Sequence, residues 1–309
     1  MAPQLLECTL KQADGLDIKA DVLLPPGATK ESPAPVLLWW HGGGLLQGTR
    51  KGTAPHLVEA PEKHGLCVVS ADYRLAPQAR LPKILSDVGD AVAWLQTAAF
   101  REATQGRADA SRVFVSGSSA GGWLALLAGS GLGFAACGLP PPQPRPQGVI
   151  GLYPISDLDD SFWTTKQHPV TYMKGRIIDG PSELGAYLDA NAPVAASSAL
   201  DSPRSLFYHY MIQEALLPSL LLEGTGISPS SFSVAQAVAR GDITLPPTYM
   251  VHGSIDDKVP PRQATDVAKA MEQKGLPVEI DIEEGKDHLF DREPQEKLEN
   301  MYAFIKRHC

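Results

Sequence analysis

The sequence predicts an α/β fold: a mostly parallel twisted sheet with helices on both faces, carrying a helical insertion. Three observations predict it. Short apolar runs bounded by turn residues recur along the chain, and segments with apolar residues at helical spacing fall between them. The chain has 309 residues, 43% hydrophobic and 20% charged, which describes an ordinary globular protein. A chain this long buries about 75% of the surface its unfolded form exposes, so it folds without disulfide or metal staples.

The elements follow in order. Residues 5–10 and 18–24 read as a β-hairpin turning near Asp14-Gly15, and Ile18-Lys19-Ala20-Asp21-Val22 alternates with the period of a half-exposed strand. A linker rich in Pro and Gly spans residues 25–35. Residues 36–40 form a continuous apolar run suited to a strand buried on both faces; residues 66–71, 112–116, 148–153, 248–252 and 278–282 repeat that pattern. From Pro82, residues Ile84, Leu85, Val88, Val92 and Leu95 recur at helical spacing, with the proline suited to a first turn. Residues 120–132 and 261–274 predict two more helices, the second closed by Gly275, and Leu298, Met301, Tyr302 and Ile305 form the apolar face of a last one. The Pro-rich run over residues 139–147 reads as a surface loop.

One stretch breaks the alternation. Between Tyr153 and Leu245 no core strand is legible, and a structureless loop of that length is uncommon in a compact domain. Residues 155–245 therefore read as a helical cap or lid insertion, and residues 1–154 and 246–309 as the core that carries it. Its aromatic residues, Trp163, Tyr172, Tyr187, Phe207, Tyr208, Tyr210 and Phe232, read first as the insertion's own small core and second as a pocket lining.

Bulk properties exclude several classes. A net charge of -8 without a basic run argues against nucleic acid or an anionic membrane surface as partner. No stretch approaches the ~18 apolar residues of a membrane span. The N-terminus lacks a basic segment followed by an apolar core, so the expected location is cytoplasmic. The four cysteines, Cys8, Cys67, Cys137 and Cys309, show no CxxC spacing; Cys67 reads as a small buried hydrophobe and Cys309 as exposed. No His/Cys/Asp cluster has metal-ligand spacing, and Gly42-Gly43-Gly44 lacks the Lys-Ser/Thr ending of a phosphate loop. No metal and no cofactor is expected, the partner is a small molecule, and the sequence carries no signal for oligomeric state.

The chemistry is concentrated in two glycine-rich turns. Gly117-Ser118-Ser119-Ala120-Gly121 fits G-x-S-x-G, follows a predicted strand and opens a predicted helix. That motif sets a serine on a sharp turn, where small neighbours let strand and helix approach and the helix N-terminus favours developing negative charge. Among Ser116, Ser118 and Ser119, only Ser119 has glycine two residues before and two after. The second turn, His41-Gly42-Gly43-Gly44, follows the first buried run; its glycines allow positive φ and close approach of backbone N–H groups to a tetrahedral oxyanion. His41 is expected to brace that loop and not to exchange protons.

With Asp72-Tyr73-Arg74-Leu75-Ala76-Pro77, these motifs resemble, in order, the signatures of the hormone-sensitive-lipase-like carboxylesterases of the α/β-hydrolase fold, from about residue 35 to the C-terminus. The resemblance implies acyl-ester hydrolysis without a cofactor, an oxyanion hole made by Gly43, Gly44 and the N–H of Ala120, and a structural role for Tyr73 to Pro77 behind the oxyanion loop. Two departures stand out. Only a hairpin and a linker precede the first core strand, where the family often has a helical cap. His252-Gly253-Ser254-Ile255-Asp256-Asp257-Lys258-Val259-Pro260 is closer to prolyl-oligopeptidase-like and dienelactone-hydrolase-like relatives.

In this fold the order is serine, acid, histidine. Gly285-Lys286-Asp287-His288-Leu289-Phe290 follows the last predicted strand and resembles the family's Gly-x-x-His-x-Phe, making His288 the general base. His308 lies past the last helix face, His56 and His64 flank an early helix, and His168 and His209 lie in the insertion. The acid belongs in the loop after the preceding strand. The frame His252-Gly253-x-x-Asp256-x-x-Val259-Pro260 selects Asp256; Asp257 stays open as the alternative and Asp287 as a third. The expected function is a serine hydrolase acting on a carboxylic ester or lactone of a small to medium organic substrate. The same triad also suits an acyltransferase or cyclase, a thioesterase or a peptidase. A non-catalytic receptor ranks last, because Ser119, Asp256 and His288 are all present.

Overall fold

The computed structural model describes residues 3–199 and 201–309; Met1, Ala2 and Leu200 lie outside the described residues. The chain begins with β1 (Gln4–Ala13), β2 (Leu16–Leu24) and β3 (Ala34–Trp40), followed by α1 (Pro55–His64), β4 (Cys67–Ala71), α2 (Leu81–Trp94) and α3 (Ala98–Ala103). Next come β5 (Ala108–Ser118), α4 (Ala120–Ser130) and β6 (Gly148–Leu152). The stretch after β6 holds five short helices, α5 (Ser161–Thr164), α6 (Gly180–Leu184), α7 (Leu206–Gln213), α8 (Leu217–Leu222) and α9 (Val234–Arg240). The chain ends with β7 (Thr248–Gly253), α10 (Arg262–Gln273), β8 (Val278–Glu283) and α11 (Glu299–His308).

Eight strands form one sheet in the order β1-β2-β4-β3-β5-β6-β7-β8. β1 and β2 pair antiparallel, as do β2 and β4, and every other pair is parallel. The hairpin turns at Asp14 and Gly15, both at positive φ. Along β3, Val36, Leu38 and Trp40 enter one apolar cluster while Leu37 and Trp39 enter another, so the strand is buried on both faces. α2, α4 and α10 contribute to the first cluster, α1 and α11 to the second. This is the mostly parallel α/β architecture that the alternating pattern predicts, and the α/β-hydrolase fold that the motif resemblance implies.

The register positions the site. Trp40 pairs with Gly117, Ser118 with Leu152, and Leu152 with Val251. The carboxyl ends of β3, β5, β6 and β7 are therefore level, and the residues just beyond them emerge at one edge of the sheet. The strand order also reverses at β3, whose neighbours are β4 and β5. A crevice outside strand ends at such a switch point is the usual ligand site of an open α/β sheet.

Two elements differ from the sequence expectation. β8 is an edge strand with alternating, incomplete burial; Val278 and Ile280 pack on the core while Ile282 is exposed. Val-Glu-Ile-Asp-Ile-Glu alternates because only one face is covered. The aromatics between β6 and β7 do not form a separate core: Trp163, Phe207, Tyr208 and Phe232 join the cluster that contains β3 and α4. Trp123 of α4 packs edge-on against Phe232 and donates to its carbonyl. Among the described residues this stretch adds no strand to the sheet, and its single β-bridge joins Ser198 to Gly48. His56 and His64 lie inside α1 and not beside it.

Candidate active site

Ser119 occupies the turn between β5 and α4 with φ 55° and ψ -120°, a conformation costly for any residue with a side chain. The surrounding glycines make the turn possible. A Cβ on Gly117 would stand 2.2 Å from the Gly121 carbonyl carbon, and one on Gly121 would stand 2.1 Å from the Trp40 oxygen. Both contacts are with backbone, so neither position accepts a side chain without opening the turn. Ser119 N donates to Leu152 O at 2.8 Å, which ties the turn to β6. The 11-residue helix α4 starts at the next residue, so its positive end faces the serine.

The loop after β3 folds back on itself. Gly43 has φ 103° and Gly44 φ 66°, and the Gly43 carbonyl accepts from Leu46 N and Gln47 N at 3.0 and 3.2 Å. His41 is buried; its Nδ1–H donates to Gly42 O at 2.8 Å, and its ring stacks on Tyr73 at 4.2 Å. Tyr73 Oη donates to His41 O at 2.8 Å. Burial drives the His41 imidazole down to about 4, so it is neutral near pH 7 and holds the loop without carrying charge. Asp72 accepts from the Arg50 backbone N at 2.8 Å and from its guanidinium at 2.5 Å, and Arg74 is held by buried Asp87. Ala76 N donates to Leu45 O, and buried Arg204 donates to the carbonyls of Leu46 and Ala76. The segment from Asp72 to Ala76 thus supports the glycine loop from behind, and one arginine from beyond β6 clamps both.

Three carboxylates were candidates for a partner of His288, and they differ plainly. Asp256 is buried, and its Oδ2 lies 2.7 Å from His288 Nδ1. Its Oδ1 accepts from Lys258 N and Val259 N, each at 2.9 Å. His252 adds Nε2 at 3.1 Å while also donating to Val259 O at 2.8 Å. Burial alone raises the Asp256 carboxyl, but the bonds from His252, His288 and backbone outweigh it and hold the group well below the usual carboxylate range. Asp257 is half-buried and paired with Lys258 at 2.5 Å; Asp287 takes the same ammonium at 2.7 Å. Neither side chain bonds the His288 ring. The loops after β7 and β8 press together at Gly253, where a Cβ would stand 2.2 Å from Lys286 O.

A cavity of about 310 Å³ opens at this edge of the sheet, and Ser119 and His288 both line it. Gly42 and Gly43 form one wall with Gln47; Ser205, Tyr208 and His209 of the stretch beyond β6 form another. Gly44 and Ala120 are not among the lining residues. Gly44 abuts the Tyr208 ring, and Ala120 is fully buried. No hydrogen bond joins Ser119 to His288 in this conformation. A larger groove of about 500 Å³ beside α3, bordered by Lys30, Arg101 and Glu102, contains no serine or histidine.

Sequence reasoning missed a buried network behind the histidine. Tyr153 stands edge-on to the His288 ring at 4.5 Å, with its backbone at φ 38°. Its hydroxyl donates to Asp291 Oδ1 at 2.5 Å, and Asp291 Oδ2 faces His56 Nε2 at 3.3 Å. Tyr302 Oη donates to His56 O at 2.9 Å and so accepts from His56 Nδ1 at 2.8 Å. His252, Gln47 and Arg292 were also passed over. The only signals were positional: Asp291 three residues after His288, and His252 four before Asp256. Among the described residues no group of three or more His, Cys, Asp or Glu could hold a metal ion, and no helix is long and apolar enough to cross a membrane.

Comparison with known proteins places the fold. In the "Non-reducing polyketide synthase pkbA" of Emericella nidulans, a segment is 29% identical over 91% of this chain. "Non-reducing polyketide synthase ausA" of Aspergillus calidoustus is 27% identical over 95%. The chain spans only 13% and 14% of those two proteins. An alpha/beta hydrolase superfamily protein from Enterococcus faecalis has a TM-score of 0.73 at 21% identity, covering 98% of this chain and 99% of that one. Esterase LipW from Mycobacterium marinum has a TM-score of 0.64 at 24% identity, covering 99% and 80%. Residues 37–292, which run from β3 to the turn after His288, match a family described by its alpha/beta hydrolase fold. With that match over most of its length, the chain belongs to the α/β hydrolases, in their hormone-sensitive-lipase-like and carboxylesterase-like branch.

Proposed function

We propose that this α/β hydrolase is a serine hydrolase that cleaves a carboxylic ester or lactone of a small to medium organic substrate through an acyl-enzyme. The observation that carries the reading is the 2.7 Å bond between His288 Nδ1 and Asp256, with Ser119 on a strained turn in the wall of the same cavity. Asp256 holds the imidazole in the tautomer that leaves Nε2 free to accept a proton. His288 takes the Ser119 proton as Oγ attacks the carbonyl carbon, then returns it to the departing alcohol. Water, activated by the same histidine, attacks the acyl-enzyme and frees Ser119. The N–H groups of Gly43, Gly44 and Ala120 are assigned to the oxyanion; losing one such donor typically costs ~3 kcal/mol of transition-state stabilisation. Residues 155–245 act as a cap, a role supported by Ser205, Tyr208 and His209 in the cavity wall.

The test is hydrolysis of p-nitrophenyl esters from acetate to decanoate by wild type and Ser119→Ala. Cleavage abolished by the substitution is the expected result; equal cleavage by both proteins contradicts the assignment.

A second reading keeps the acyl-enzyme and changes donor or acceptor, giving an acyltransferase, cyclase, thioesterase or peptidase. The likeness to segments of polyketide synthases favours it. Product analysis with and without an added alcohol or amine separates the two: a transfer product at the expense of the free acid marks the second.

A further inference from the structure

The charged side chains that line the cavity are all basic, although Asp256, Asp257, Asp287 and Asp291 stand directly behind them. The protein carries a net charge of -8, yet no Asp or Glu lines this cavity, while Lys258 and Arg292 do. The two cations are not equivalent. The Lys258 ammonium is matched by Asp257 at 2.5 Å and by Asp287 at 2.7 Å, so its charge is already answered. The exposed Arg292 guanidinium donates only to the Gly52 carbonyl, at 3.2 Å, and among the described residues no carboxylate forms an ion pair with it. It closes the short turn Phe290–Arg292 that follows His288. The wall has a second unanswered polar group. Gln47 is 8% exposed, and its side-chain oxygen is buried without a hydrogen-bond partner. Arg292 is exposed, so water reaches its remaining donors, and the buried Gln47 oxygen marks this wall as polar.

We propose that Arg292 is a specificity residue that binds an anionic group, a carboxylate or a phosphate, on the substrate whose ester bond Ser119 attacks. This rests on the serine-hydrolase reading. The guanidinium offers a planar fork of donors that matches either anion, and no Asp or Glu side chain stands in the lining to repel one. Because Arg292 ends the turn that follows His288, and His288 protonates the departing alcohol, we assign the anion to the leaving-group side.

The experiment compares kcat/KM for two carboxylate esters with their neutral counterparts. 4-Acetoxybenzoate, with the charge on the leaving phenol, is set against its methyl ester. Mono-4-nitrophenyl glutarate, with the charge on the acyl side, is set against 4-nitrophenyl pentanoate. Each anionic-to-neutral ratio is divided by the same ratio in Arg292→Gln, which removes intrinsic reactivity. The expected result is a quotient of about ten or more for 4-acetoxybenzoate, carried by KM, partly restored by Arg292→Lys and reduced by added salt. A quotient of about ten for the glutarate alone keeps the anion site and moves it to the acyl side. Quotients near one for both overturn the proposal while Ser119-dependent cleavage of the neutral esters leaves the hydrolase reading standing. If no ester is cleaved, the hydrolase reading fails, and calorimetry with monomethyl glutarate decides the site: binding that Arg292→Gln abolishes upholds it, and no Arg292-dependent binding overturns it.

Discussion

Replacing Asp256 by asparagine separates orientation of the histidine from everything else in the site. Two oxygens do different work there. Oδ1 accepts the backbone N–H groups of Lys258 and Val259, both at 2.9 Å, while Oδ2 faces His288 Nδ1 at 2.7 Å and His252 Nε2 at 3.1 Å. An asparagine keeps its carbonyl on the two backbone donors, because reversing the amide would set an NH2 group against two N–H groups. Its NH2 then points at His288 Nδ1, which must become the acceptor. The proton moves to Nε2, and His288 no longer takes a proton from Ser119. The expected loss in kcat is ~10⁴-fold with KM little changed, the size associated with a wrong-tautomer histidine. Asp257→Asn is the control: that carboxylate touches only the Lys258 ammonium near the surface, and its removal should stay within about 0.5 kcal/mol. Steady-state kinetics on a p-nitrophenyl ester that the wild type cleaves, with folding checked by circular dichroism, measures both. Retention of more than a tenth of wild-type kcat by Asp256→Asn, or an equal loss in Asp257→Asn, would refute the assignment.

Other substitutions probe the frame around that pair. Tyr153→Phe removes the hydroxyl from buried Asp291 and should cost ~2 kcal/mol in chemical denaturation, with a several-fold fall in kcat and an unchanged KM as the ring packed against His288 loses its anchor. Gly121→Ala drives a methyl to 2.1 Å from the Trp40 oxygen and should lower stability by ~3 kcal/mol or more, with loss of activity, seen as a fall in Tm. The His41 imidazole is held at about 4 by burial, against an ordinary value of 6.5. The folded state thus favours the neutral form, so its contribution is complete above pH 6.5 and is lost as pH falls towards 4. The loss is worth ~3 kcal/mol. Denaturation of wild type and His41→Phe at pH 7 and pH 4.5 should show the smaller acid loss in the variant; parallel losses would contradict it.

Much of the fold was legible because each signal was local. The hairpin, the short apolar runs and the helical spacings each depend on a few neighbouring residues, and they became β1 to β8 and the flanking helices in the predicted order. The run at residues 278–282 was misjudged: Glu279 and Asp281 alternate with its apolar residues, a pattern that marks a strand covered on one face, and among the described residues β8 is an edge strand. Ser119 was legible for the same local reason, since both glycines that its turn requires are within two residues of it. Asp256 and Asp257 are neighbours in one loop, and the sequence left both open; the turn at Lys258 and Val259 is what aims the first and not the second at His288. The network from Tyr153 through Asp291 and His56 to Tyr302 was invisible, because its bonds join residues more than a hundred positions apart. Arg292 was equally invisible, since only the fold brings it to the cavity wall.

The most direct measurement is mass-spectrometric mapping of a fluorophosphonate adduct on native protein, heat-denatured protein and His288→Ala. The predicted result is a single adduct on Ser119 in the native protein, absent after denaturation and slowed ~10³-fold or more without His288. An adduct on another residue, no adduct on the native protein, or equal labelling of His288→Ala would contradict a serine nucleophile activated by that histidine.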